Sequence, residues 1–234
     1  SAPDALGRRC SRPVYFGHFL TFFGAAMQSA AEARGDHDVT DVPSVVAGAI
    51  KLGLFESVIV LLFSLGSRLL DPPIETIVLV PILLVGLAGV TLLPGLWTRP
   101  RTIEGIAGAA GIGLGATFVF LLIDTALLQH IGTYTNRWYE IGRSNWWYHP
   151  VWWITGTFLP WMGAWILANQ LQRNGRVSVP AAFGTAVLFA VLAAIVAILI
   201  GFPGARWTLP TFGIAFLPGL ALATALSLLG TRRG

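Results

Sequence analysis

The sequence predicts an all-α fold, a polytopic integral membrane bundle of six transmembrane helices preceded by an interfacial amphipathic helix. Three observations predict it. The 234 residues are 55% hydrophobic and only 11% charged, whereas a soluble domain carries about 25% charged residues. Six apolar runs approach the ~20 residues that a helix needs to cross a hydrocarbon core about 30 Å thick. The basic residues fall singly or in pairs between those runs, which is how topology is written in membrane proteins. A mean hydropathy of +0.71 agrees with lipid as the solvent.

The runs are Val46–Leu70, Ile77–Trp97, Ile103–His130, Val151–Gln170, Val179–Phe202 and Leu209–Leu229. Turn residues punctuate them: Asp71-Pro72-Pro73, Arg99-Pro100-Arg101, Asn174-Gly175 and Phe202-Pro203-Gly204. The chain divides into a cytoplasmic arm (1–45), with an interfacial helix and the acidic linker Gly35–Asp41, and a six-helix domain (46–234) with an aromatic-rich outer loop (131–150). No internal repeat is evident.

Val14–Ala31 is long enough to span, and charge decides its place. With the segment on the surface, Arg8, Arg9, Arg12, Arg34, Lys51, Arg99, Arg101, Arg173, Arg176, Arg232 and Arg233 share one side, and Arg68, Arg137, Arg143 and Arg206 the other. That split of 11 to 4 becomes 8 to 7 if the segment spans. The positive-inside rule selects the surface helix. It puts both termini on the cytoplasmic side of the cell (inner) membrane.

The single Cys10 excludes an internal disulfide and a multi-cysteine metal cluster, and it reads as an ordinary thiol. The N-terminus reads as mature after loss of the initiator Met, without a signal peptide. A pI near 9.8 raises nucleic acid as a partner, but scattered arginines with one lysine form no nucleic-acid face. The expected partners are membrane lipids and other integral membrane subunits.

Small residues in the third run, Gly105, Ala109 and Gly113 with Gly111 and Gly115, are spaced for close helix approach in lipid. Prolines 81, 94, 160, 210 and 218 are expected to kink their helices.

The stretch His130–Trp165 holds seven of the nine tryptophans. Such a density fits an aromatic belt at headgroup level. It also fits a surface for a cofactor or partner built on Trp138, Trp146, Trp147, Trp152 and Trp153. Asp124 lies about a turn and a half inside the outer end of the third run, where an ionised side chain costs about 3 kcal/mol or more. His130, His149, Arg137 and Arg143 are its expected partners. Asp124, His130, Glu140 and His149 are the candidate catalytic residues, and Asp124, His130 and His149 a weak metal set. Glu56 is the second intramembrane acid, read as a turn and a half inside the cytoplasmic end and within reach of Arg99, Arg101 and Glu104. The triplet Asp36-His37-Asp38 is a weak chelating motif.

No residue pattern names a cofactor. Three functions fit: an accessory or scaffolding subunit of a larger membrane complex that docks through the outer loop, a membrane enzyme acting on a lipid or hydrophobic small molecule at the outer face, and a small proton-coupled transporter or channel.

Overall fold

The computed structural model describes residues 38–134 and 148–229, with side chains from Trp152 onward in the second stretch. The interfacial helix at Val14–Ala31, Cys10, and the loop residues Arg137, Trp138, Glu140, Arg143, Trp146 and Trp147 lie outside the described residues, as does the side chain of His149.

Six helices follow one another with no strand among the described residues: α1 (Val42–Leu69), α2 (Ile74–Thr98), α3 (Ile103–Ile123, continued by a π-helical turn over Asp124–Leu128), α4 (Tyr148–Asn174), α5 (Val179–Leu199) and α6 (Leu209–Leu229). All but α4 are long and apolar enough to cross a membrane. The expected sixth span exists as a helix of 27 residues, but its last turns carry Asn169, Gln170, Gln172, Arg173 and Asn174. It packs against α2, α3 and α6, and between Gly163 and Asn169 every residue except Trp165 is buried. Of the polar residues in its last turns Asn169 is buried, while Gln172, Arg173 and Asn174 are exposed.

Helix ends follow local chemistry. Asp41 caps α1 by accepting from the Ser44 N–H at 3.1 Å, so α1 starts four residues before the apolar run. Thr102 caps α3 through the Glu104 N–H. Pro210, expected to kink its helix, stands in the first turn of α6, where a missing N–H leaves no bond unmade.

Burial is inverted relative to a water-soluble protein. On α1, Leu54, Val58, Leu62 and Leu65 point outward, while Glu56, Ser57 and Ser64 are buried. Buried hydroxyls return to their own helices: Ser57 donates to the Gly53 carbonyl, Thr117 to Gly113 and Thr224 to Leu220. The bilayer core supplies no water to these groups, so they bond inward.

The bundle closes through small residues. α3 uses its two stripes for two neighbours: Gly111 and Gly115 receive Val45 and Ala49 of α1, while Gly113 lies against Gly156 and Pro160 of α4. A seam that the sequence reading did not single out joins α5 to α6, where Ala182, Ala186, Ala190 and Ala194 face Ala215, Gly219 and Ala223. Asn169 of α4 donates to Ser227 of α6 at 2.7 Å. Close backbone approach of this kind lets dispersion hold helices together where lipid is as apolar as they are.

The tightest backbone approach is at Gly163, where any Cβ would run into the Thr91 carbonyl of α2, as one at Gly156 would into the Thr117 hydroxyl. Gly163→Ala should therefore lower stability by about 1–3 kcal/mol, the usual range for overpacking. Gly184→Ala, which meets nothing within 4 Å, should be neutral or stabilising by up to about 1 kcal/mol. Thermal unfolding in detergent measures both.

Candidate functional site

Among the ionisable side chains described within the spans, Glu56 and Asp124 are buried. Glu56 sits fifteenth in the 28 residues of α1, near the middle of the helix. It is already eleventh in the apolar run Val46–Leu70, about three turns from its start, so the expected depth of a turn and a half is too shallow. It is 6% exposed and makes no hydrogen bond or ion pair with a described residue. Its neighbours along the buried stripe are Leu52, which packs on Ile112 and Ala116, and Val60, which packs on Phe120 and Leu128. The network expected with Glu104 does not form. Glu104 is in the first turn of α3, about 27 Å away along the axis by helix rise. Lys51 is exposed, as a snorkelling side chain requires.

Asp124 is fully buried at the start of the π-helical turn. That turn carries one extra residue per hydrogen-bonded ring, closed by the Gln129 N–H on the Asp124 carbonyl at 2.9 Å. The widening brings the Gln129 side chain back, and its amide donates to Asp124 Oδ2 at 2.7 Å. The Tyr134 hydroxyl donates to Oδ1 at 2.5 Å. Of the partners expected for it, Arg137, Arg143 and the His149 side chain lie outside the described residues. His130 is exposed and is not a partner. A five-residue separation does not put Gln129 beside Asp124 in a regular α-helix, so only the π turn reveals the pair.

Tyr134 reaches Asp124 because the chain doubles back. Gly132 takes φ +68°, its N–H bonds the Gln129 carbonyl, and the Thr133 N–H bonds the Leu128 carbonyl. This is a Schellman ending, which requires the left-handed residue that glycine supplies without strain. Ser64 of α1 donates to the Thr133 carbonyl. Thr133 is 2% exposed, and its hydroxyl lacks a hydrogen-bond partner.

The two acids lie closer than expected. α1 and α3 run parallel, Ala49 beside Gly115 and Gly53 beside Val119. This register puts Glu56 within about one helical turn, ~5 Å along the axis, of Asp124.

Of the described tryptophans, Trp152 packs at a tilt against Phe120 with centroids 4.6 Å apart, and Trp153 near the helix start is exposed. Trp161 is 44% exposed at the middle of α4.

At the opposite end Asp38 is committed to structure. Its carboxylate accepts from the Arg101, Thr102 and Gly105 N–H groups at 2.8–3.1 Å and from the Thr102 hydroxyl. The residue expected in a linker thus ties the chain to the N-terminus of α3. Burial alone would raise its pKa, but the Thr102 hydroxyl and the three N–H donors outweigh that and hold it below the ordinary value. Asp36 and His37 lie outside the described residues. No three His, Cys, Asp or Glu side chains gather into a metal-binding group among the described residues.

Fold and site together define a multi-pass membrane protein of helical-bundle class with two buried acids in one helix pair. No protein-family model matches the chain, and neither do any curated protein and any solved structure.

The Asp38 tie has a pH signature. A carboxylate whose folded pKa is depressed stabilises above its unfolded value and loses that contribution as pH falls through the folded one. Wild type and Asp38→Asn should therefore differ by a constant amount above about pH 5, of order 1 kcal/mol as for a helix cap. The difference should shrink below the ordinary value of 3.8. Unfolding of both proteins across acid pH measures it.

Proposed function

We propose that this protein is a small proton-coupled transporter or channel in which Glu56 is the group that takes up and releases the proton. One observation carries the reading: a carboxyl group stands buried at the midpoint of a membrane-spanning helix without hydrogen bond or ion pair to any described residue. An ionised side chain there costs about 3 kcal/mol or more unless its charge is neutralised. A purely structural position would be served better by leucine. Neutralisation by a proton needs no further ligand, whereas a metal cation asks for several oxygen ligands. The nearby Ser57 hydroxyl already donates to its own helix. Asp124 supplies a second acid about one turn away, which makes two protonatable groups along one helix pair.

In this reading α4 is the sixth span and Val14–Ala31 lies on the membrane surface. The excess of arginine at the end where α1 begins sets that end in the cytoplasm, in a cell or inner membrane.

A second reading, a subunit of a larger membrane complex, is favoured by Trp161. Belt tryptophans sit at headgroup level, but this one faces outward from mid-helix, and aromatic residues are enriched at docking surfaces. Purification in mild detergent should then retain a stoichiometric partner that Trp161→Ala sheds. A clean monomer defeats this reading.

Proton flux tests the first. The full chain in phosphatidylcholine–phosphatidylglycerol vesicles with an internal pH dye should dissipate an imposed pH gradient, and Glu56→Gln should reduce the rate to that of empty vesicles. A hydrophobic carbodiimide should modify Glu56 and block the wild type. Glu56→Gln vesicles as fast as wild type, or wild type no faster than empty ones, would overturn the proposal.

A further inference from the structure

We propose that the loop Ile200–Thr208 between α5 and α6 anchors the hairpin in the lipid surface. Phe202 and Trp207 enter the boundary between headgroups and acyl chains, and Arg206 binds a lipid phosphate. The inference goes beyond the role given to Glu56 and does not depend on it.

The backbone of the loop is held by hydrogen bonds throughout. α5 ends in a Schellman motif on Gly201, whose φ is +67°. The Gly201 N–H bonds the Ile198 carbonyl at 3.1 Å, and the Phe202 N–H bonds the Ala197 carbonyl at 2.9 Å. Phe202-Pro203-Gly204-Ala205 then makes a type II turn, with Gly204 at φ +81° and the Ala205 N–H on the Phe202 carbonyl at 3.0 Å. Thr211 of α6 closes the loop by accepting from the Arg206 N–H at 3.2 Å. This backbone leaves Phe202 60% and Trp207 73% exposed, beside exposed Leu199 and Ile200. A Schellman ending often packs the residue after its glycine on an apolar side chain of the last turn. Here that side chain is Ala197, too short to cover a phenylalanine.

Depth and charge name the occupant. α5 and α6 are 21 residues each, about 31 Å long by helix rise, against a hydrocarbon core about 30 Å thick. The loop that joins them therefore lies at the boundary, the level at which tryptophan concentrates. Arg206 is the one charged residue from Val177 through Leu229, so the hairpin holds no acid to pair with it. No described residue bonds its guanidinium. A phospholipid surface supplies both an apolar layer for the rings and phosphate oxygens for the guanidinium, whose planar fork of donors matches them.

The far end of α6 is tied to α4, where Asn169 donates to Ser227 at 2.7 Å. With the loop seated in lipid, the hairpin is bonded to protein at one end and to the bilayer at the other, which fixes its depth.

Spin labels read that depth in the full chain, reconstituted in phosphatidylcholine–phosphatidylglycerol vesicles. Cys10→Ser removes the native thiol, and Phe202→Cys or Trp207→Cys carries the label. Leu188→Cys, outward at the middle of α5, marks the hydrocarbon core, and Asn174→Cys at the exposed end of α4 marks water. Collision rates with oxygen and with a neutral nickel chelate should place positions 202 and 207 between these two references. With the label at 202, Arg206→Glu sets like charge against phosphate and should raise the nickel collision rate about fivefold, the worth of one cation at an anionic surface. Arg206→Lys should leave that rate unchanged. A label at either loop position that matches one of the references puts the loop in water or in the hydrocarbon core. One shielded from both reagents puts it against protein. Either result, or an Arg206→Glu rate equal to that of the parent, overturns the proposal.

Discussion

Within a hydrocarbon core a polar group has no water to bond, and this constraint organises the whole bundle. Backbone groups close on their own helices, and Ser57, Thr117 and Thr224 return their hydroxyls to the preceding turn. Outward faces are left to leucine, isoleucine and valine, which lipid solvates at no cost. Once outward faces are apolar, the hydrophobic effect no longer tells a helix which side to bury. Close packing does so instead, through the glycines of α3 and α4 and the alanine seam of α5 with α6.

The same constraint gives the two ends of α3 opposite devices. Its N-terminus exposes unpaired N–H groups, and the Asp38 carboxylate gathers them where solvent is near. Its C-terminus widens into a π turn and ends on Gly132, so the following residues fold back over the helix. Asp38 is bonded by backbone donors and closes a structural joint. Asp124 is bonded by two side chains, Gln129 and Tyr134, brought to it by the π turn and the fold-back.

Against this background Glu56 is the exception that carries the functional reading. Each buried hydroxyl of α1 has an acceptor, but the one buried acid of that helix has no bonded partner among the described residues. Its closeness to Asp124 along the axis joins the two acids in one helix pair.

Composition and run length were sufficient to predict an all-helical membrane bundle, because hydropathy depends on the count of apolar residues and not on their partners. Helix three and helix six were legible almost to the residue, as was the burial cost of Asp124. The partners of Asp124 were not. Gln129 lies five residues away, off any regular helical face, and Tyr134 arrives only through the fold-back at Gly132. The depth expected for Glu56 was too shallow, since the residue already stands eleventh in the apolar run Val46–Leu70. The sequence by itself determined the solvent of this protein and the presence of two costly acids within it. The tertiary structure alone decided that they share a parallel helix pair, since register between helices is set by which small residues meet, and no single helix contains that information.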